Sequence, residues 1–246
     1  MITSIYQGGL GNQIFQVVVG YIFAKEHNDN YAINPALHSG NGQGFHLNKY
    51  LNTIFKNIDK TNHKSSNYYK EPQFNYSEIP YKEDSLLEGY FQTEKYFLNR
   101  KKEINQLLEF ECSEEPTNEC VIHIRTGDYL ILSNFNVVTP NYFNKAINEV
   151  IQQNSKISFK VISDNHDIAK TYLPKDLFYE FVSSDELNDL KTLSQCDYAI
   201  ISNSSFSWWG SYLGKSKITY APNKWFNNIN YDVSDVYREG MIKIEI

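Results

Sequence analysis

The feature that most constrains this chain of 246 residues is the regular strand–helix alternation of its second half. Cys120 to Ile124 reads as a buried strand, and Pro140 to Gln152 as a helix with proline near its start. Strand Ser158 to Ile162, a short helix from about His166, strand Phe178 to Phe181 and helix Asp185 to Ser194 follow. Strand Tyr198 to Ile201, helix Ser204 to Leu213 and strand Lys217 to Tyr220 complete the series. Such alternation predicts a parallel sheet with helices on both faces, because successive parallel strands need a crossover between them. Ligands of such a sheet sit beyond the carboxyl ends of its strands.

The first half is less regular. Ile2 to Tyr6 alternates like a short strand and runs into the turn Gln7-Gly8-Gly9-Leu10-Gly11-Asn12, after which an apolar helical pattern spans Ile14 to Ala24. A strand from Tyr31 to Asn34 is expected to stop at Pro35. The polar stretch from His38 to Pro80 reads as loops with short helices, Leu86 to Phe91 as a strand, and Glu94 to Glu109 as a helix. Glu114-Glu115-Pro116-Thr117-Asn118 is the best linker, giving a domain over 1–116 and another over 117–246. The last ~20 residues are candidates to pack back on the first domain, since chain ends often lie close together.

Composition narrows the function classes. Hydrophobic residues at 41% and charged residues at 21% describe an ordinary globular chain. The 19 Tyr and 15 Phe suit broad clefts for polar ligands as well as packed cores. A net charge of −6 without a long basic run argues against nucleic acid as a partner. Cys112, Cys120 and Cys196 are an odd number and none lies in a CxxC pair, so disulfide frameworks, zinc sites and thiol-redox motifs are not expected, and a reducing compartment fits best. The start shows no signal-peptide pattern, and the longest apolar-leaning stretch, Ile14 to Ala24, falls short of the ~20 residues of a membrane span. A cytoplasmic protein without a transmembrane segment is the expectation.

Three motifs fall at the strand ends of the second half. His123-Ile124-Arg125-Thr126-Gly127-Asp128-Tyr129 places His123 and Arg125 on one face of an extended chain and offers a planar guanidinium to a phosphate; a structural Arg–Asp pair closing a loop is an equal alternative. Ser163-Asp164-Asn165 reads first as a helix cap and second as an acceptor for a base or ribose. Ser202-Asn203-Ser204-Ser205-Phe206-Ser207 ends a strand and starts a helix, where first-turn N–H groups and the helix dipole make an anion site. Together they describe a site for a nucleotide diphosphate. No Asp-x-Asp pair occurs in the chain, so a metal-bridged sugar nucleotide is not expected. The partial glycine pattern Gly9-Leu10-Gly11-Asn12-Gln13-Ile14 lacks its third glycine and is weak as a dinucleotide fingerprint.

GGLGNQIFQ near the start, GYFQTEKYF at Gly89 to Phe97, HIRTGDY, SDN and NSSFSWWG occur in the order seen in the α-1,2-fucosyltransferases of glycosyltransferase family 11, which the chain resembles over nearly its whole length. The resemblance implies an α/β protein with two Rossmann-like domains facing across a cleft (GT-B-like). It implies GDP-β-L-fucose as donor, inversion at the anomeric carbon, no metal or other cofactor, and a galactose 2-hydroxyl on a glycan as acceptor. Carried over by residue, Arg125 with His123 resembles the phosphate-contacting element. Asp164 and Asn165 resemble a donor-nucleotide segment, and Asn203, Ser204, Ser205 and Phe206 the pyrophosphate and guanosine segment. Gly9, Asn12 and Gln13 match the segment facing sugar and acceptor. The family motif usually has two adjacent arginines where this chain has Arg125 and Thr126; related protein O-fucosyltransferases manage with one, so activity is expected to survive.

In the expected reaction Arg125 and the Ser204–Ser205 helix start stabilise the departing phosphate. Asp128, Glu88 and Glu94 are candidates for a general base, although the diphosphate leaves readily enough for a weak base or none to suffice. Alternatives are transfer of another GDP-deoxysugar such as colitose, an NAD-dependent oxidoreductase, and a non-catalytic nucleotide-sugar-binding protein. A bacterial-type enzyme of surface polysaccharide synthesis is the expected setting, with an acceptor that could be lipid-linked and bring peripheral membrane contact.

Overall fold

In the computed structural model, residues 1–38, 46–110, 115, 117–214, 216–228 and 232–246 are described. Cys112, Glu114 and Pro116 of the readings above lie outside them, as do residues 39–45 of the polar stretch. Two compact units emerge: Met1–Glu111 with Tyr231–Arg238, and Cys112–Asn230 with Glu239–Ile246.

The first unit contains β1 (Ile2–Ser4), α1 (Leu10–Glu26), α2 (Leu47–Tyr50), β2 (Asn67–Lys70), β3 (Ser85–Glu88) and α3 (Lys101–Leu107). Its three strands pair in the order β1-β3-β2, all parallel, so their carboxyl ends share one edge. That edge gathers the Gly8–Gln13 turn, Glu71 and the Gly89–Gln92 loop. Helix α1 begins earlier than the expected Ile14, because the chain closes its first turn at once: the Gln13 N–H donates to the Gly9 carbonyl at 3.1 Å. Gly8 has φ +72°, and a Cβ there would lie 2.2 Å from Nδ2 of Asn12, so a glycine is required beneath that side chain. Tyr6, Phe15, Leu87, Phe91 and Phe97 are buried in this unit.

Two expectations for this unit need correction. Tyr31 to Asn34 is not a strand: only Tyr31 and Ile33 form isolated bridges, to Ile2 and Lys60. The expected helix from Glu94 to Glu109 is two pieces, a 3-10 turn at Glu94–Tyr96 and α3. Asn99 between them adopts φ 62°, a left-handed conformation that ends a right-handed helix, while Phe97 is drawn into the core.

The second unit contains β4 (Glu119–Ile124), α4 (Pro140–Gln153), β5 (Ser158–Ser163), α5 (His166–Lys170), β6 (Tyr179–Phe181), α6 (Glu186–Gln195), β7 (Tyr198–Ile201), α7 (Ser205–Leu213), β8 (Ile218–Pro222) and β9 (Met241–Ile244). Six parallel strands run in the order β6-β5-β4-β7-β8-β9, as the alternation predicts. After Glu119 at its start, the central strand β4 is buried and apolar except for His123, as befits a strand covered on both faces. Helix α4 starts with Thr139 accepting the Tyr142 N–H at 3.2 Å and Pro140 in its first turn. It then buries Tyr142, Phe143, Ile147 and Val150 against β4, β5 and β7.

Strand β9 was not legible in the sequence. It pairs with β8 in the second sheet, so the expectation that the chain's last stretch packs back on the first domain needs dividing. Residues around Asp235 do cluster with the first unit: its carboxylate accepts the Tyr76 N–H at 3.0 Å and pairs with Lys95 at 2.6 Å. The strand that follows returns to the second unit.

Candidate active site

At the carboxyl edge of the second sheet, the central strands deliver Arg125 after β4, Asp164 after β5 and Asn203–Ser204 after β7. Register is locked by Ser202, whose hydroxyl donates to the His123 carbonyl at 2.9 Å and accepts the Arg125 N–H at 3.0 Å. The Arg125 fork is held on both sides: Nη2 lies 2.6 Å from Asp128 Oδ1 and Nη1 lies 2.7 Å from Asp164 Oδ2. Its carbon also lies 5.4 Å from the centre of the Tyr129 ring. The structural reading of the motif, an arginine closing a loop through an aspartate, therefore describes the observed geometry. The same geometry fixes a planar cation, about a third exposed, at the sheet edge.

His123 sits behind it, buried, with its ring 5.4 Å from that of Phe206 and its Nδ1 without a hydrogen-bond partner. Burial, reinforced by the Arg125 charge, pushes its pKa down to about 3, so the ring is neutral at any working pH. Asn203 is fully buried and laces two loops together, its Nδ2 donating to Phe135 O at 3.1 Å and Trp225 O at 2.9 Å, while its Oδ1 has no partner. The Tyr129 hydroxyl reaches the Asn203 carbonyl at 3.4 Å. Ser204 takes the N-cap position of α7 in an extended conformation, but its side chain makes no capping bond to the helix. Ser205 and Phe206 open the first turn. Asn165 is committed elsewhere: its side chain caps α5 by accepting the Ile168 N–H at 3.1 Å, so the cap expected of the aspartate falls to its neighbour, while Asp164 is held by Thr126 and Arg125.

The residues expected on the acceptor side form a separate cluster at the edge of the first sheet. Gly9 is the N-cap of α1; Gln13 donates to the Gly8 carbonyl at 2.8 Å and leaves its buried Oε1 without a partner. Asn12 Oδ1 accepts from Gln92 Nε2 at 2.7 Å, joining the turn after β1 to the loop after β3. Gln92 and Glu71 are the residues sequence reading missed here. Glu71 accepts the Tyr90 N–H at 2.8 Å and the Phe91 N–H at 3.0 Å, clamping the loop in which Phe91 takes φ 52°. Burial pushes its carboxyl up to about 7 in spite of those bonds. Gln92 lay within a recognisable motif, but Glu71 stands in an aperiodic polar stretch with no signal of its own. Of the base candidates, Glu88 is engaged by Tyr68 and Lys70, which hold its carboxyl below the usual range. Among the described residues, no group of three or more His, Cys, Asp or Glu side chains is placed to hold a metal ion.

Comparison with known proteins decides the family. The model of glycosyl transferase family 11 matches residues 43–245. The chain belongs to glycosyltransferase family 11. Two Escherichia coli relatives match over most or all of it: an alpha-1,2-colitosyltransferase, 28% identical over 100% of this chain and 99% of its own, and the O-antigen biosynthesis glycosyltransferase WbnK, 26% identical over 92% and 95%. Two solved structures of the fucosyltransferase NodZ, each 12% identical and covering 87% of this chain, align with TM-scores of 0.43 for NodZ alpha-1,6-fucosyltransferase soaked with GDP-fucose and 0.48 for NodZ from Bradyrhizobium. As a family member the chain is a glycosyltransferase. No helix among the described residues is long and apolar enough to cross a membrane.

Proposed function

We propose that this family 11 enzyme moves L-fucose from GDP-β-L-fucose to the 2-hydroxyl of a galactose in a glycan, with inversion and without a metal ion. The observation that carries the reading is the Arg125 fork at the sheet edge, in the same strand-end cluster as the start of α7. A diphosphate there receives a guanidinium and the positive end of a helix dipole, both permanent charges that strengthen their hold as the leaving group gains negative charge. The acceptor oxygen attacks the anomeric carbon from the face opposite GDP, the carbon–phosphate-oxygen bond breaks, and the hydroxyl proton passes to a base or to water.

In this reading His123 supplies a neutral wall rather than a second charge, and Asn203 holds the loops that flank the site. The amide cluster of Asn12, Gln13 and Gln92 in the first unit suits a sugar, whose hydroxyls need both donors and acceptors. A second reading, transfer of colitose from its GDP-sugar, is favoured by the name of the 28% identical relative. Colitose lacks one hydroxyl of fucose. Where a site is built to hydrogen-bond a hydroxyl, it rejects the analogue without it strongly.

The test is GDP release with GDP-fucose and GDP-colitose across a panel of galactosides, with and without a chelator, and the product linkage read by NMR. Release dependent on a galactoside, insensitive to chelator and yielding an α-1,2 product supports the proposal. Chelator-sensitive transfer removes the metal-free mechanism. GDP binding without transfer leaves only a sugar-nucleotide-binding protein, and enhanced NADH fluorescence on titration revives the oxidoreductase.

A further inference from the structure

We propose that Thr126, where family members usually carry a second arginine, is a positioning residue: it pins Asp164, and through Asp164 it fixes the Arg125 fork for a diphosphate. The inference rests on the reading of Arg125 as the diphosphate contact given under Proposed function.

Thr126 is fully buried, so it cannot itself touch a ligand at the surface of the site. Both of its donors converge on one atom, Asp164 Oδ1: the backbone N–H at 2.9 Å and the hydroxyl at 2.5 Å. The other carboxylate oxygen, Oδ2, takes Arg125 Nη1 at 2.7 Å. Gly127, at φ 31°, completes the seat, since a Cβ there would lie 2.6 Å from the same Oδ2. A carboxylate oxygen accepts about two hydrogen bonds, so Oδ1 is saturated by Thr126 and Oδ2 has room for one more. Asp164 cannot turn toward a ligand without giving up two donors. Its orientation is thus set by Thr126, and it sets one of the two points at which the Arg125 fork is held. A planar fork held at a fixed angle loses less freedom when a phosphate arrives than a mobile one. Position 126 thereby contributes orientation, where a second arginine would contribute charge.

The experiment measures GDP affinity by calorimetry and donor KM and kcat by GDP release, for wild type, Thr126→Val, Thr126→Ser, Asp164→Asn and the Thr126→Val/Asp164→Asn double variant. Valine keeps the shape and the N–H but removes the hydroxyl. A hydrogen bond to a charged group is lost, and the expected result is a rise in Kd for GDP and in donor KM of about tenfold or more. The value of kcat at saturating donor should change much less. Thr126→Ser should restore wild-type KM, which a general packing defect would not allow. Asp164→Asn should reproduce the KM defect, and the double variant should add little to it.

Unchanged GDP affinity in a folded Thr126→Val protein overturns the inference, as does full additivity in the double variant. Should the valine variant fail to fold, wild-type GDP affinity in Asp164→Asn overturns it equally. Failure of the functional reading looks different. A wild type that binds GDP but transfers no sugar sinks the transfer reading and leaves the clamp to be judged on Kd; a wild type that binds no GDP overturns both.

Discussion

Asp128 offers the sharpest test of the electrostatics at the sheet edge. Its carboxylate and that of Asp164 both lie against Arg125, so one cation faces two anions before any ligand arrives. A diphosphate approaching Nη2 must displace Asp128, whose Oδ1 is 2.6 Å away. The two side chains are 30% and 28% exposed, which places the pair near the upper end of a surface ion pair, about 1 kcal/mol. Asp128 also repels a bound phosphate. At about 6 Å and an effective dielectric of about 20 that repulsion approaches 3 kcal/mol, and solvent screening reduces it to about 1. Asp128→Asn keeps the shape and a weaker hydrogen bond to the fork while removing the charge. GDP should therefore bind about 1–2 kcal/mol more tightly, or roughly five- to thirtyfold in Kd. The gain should shrink between about 0.05 M and about 0.5 M salt, as the Debye length falls from roughly 14 Å to roughly 4 Å. Calorimetry at the two salt concentrations measures both effects. Unchanged or weaker GDP binding in Asp128→Asn would refute the claim that this carboxylate competes with phosphate for Arg125. The turnover number answers a separate question, since a general base at this position would cost about a hundredfold or more in kcat when removed.

Other expectations follow from single contacts. Arg125→Ala should keep its circular dichroism spectrum and lose turnover by about a hundredfold or more, because the stabilisation removed belongs to the leaving group; near-wild-type kcat would refute the assigned role. Gly210→Ala should destabilise α7 even though alanine favours a helix by about 1 kcal/mol, since its Cβ would lie 2.5 Å from Leu193 Cβ, an atom no rotamer can move, and such overpacking costs about 1–3 kcal/mol. A raised melting temperature would show that α6 and α7 can separate freely. Glu71, with its carboxyl pushed up to about 7, binds its proton more tightly in the folded state than in the unfolded chain. Its contribution to stability therefore falls as pH rises from its ordinary value near 4.5 toward 7. Urea denaturation at several pH values should show that Glu71→Gln flattens this slope; identical slopes would place the carboxyl outside the loop clamp.

The second unit was readable almost element by element because its order comes from local signals that agree with the global fold. Apolar runs of strand length and Pro140 at a helix start point to the same alternation, and a parallel sheet follows from it. The site motifs were legible for the same reason, since strand ends in such a sheet share one edge. Strand β9 escaped because an edge strand, partly exposed and separated from β8 by the segment that joins the first unit, has no burial pattern to announce it. In the first unit, Phe91 takes a left-handed conformation that propensity does not favour, held there by its buried ring and by Glu71, which accepts its N–H.

The amino-acid order by itself determined which side chains reach the two sheet edges, because strand periodicity and glycine-bearing turns are properties of a few neighbouring residues. Tertiary structure alone decided what those side chains do to one another. Asp164 could have capped α5 or met a ligand. It is held instead by Thr126 and Arg125, contributed by the end of a strand far away in sequence, because the β4–β5 register places the two strand ends side by side. Likewise the carboxyl of Glu71 takes its hydrogen bonds from a loop after another strand, while burial raises its pKa against them. Partners chosen across a sheet depend on register and burial, and neither is a property of a local stretch of chain.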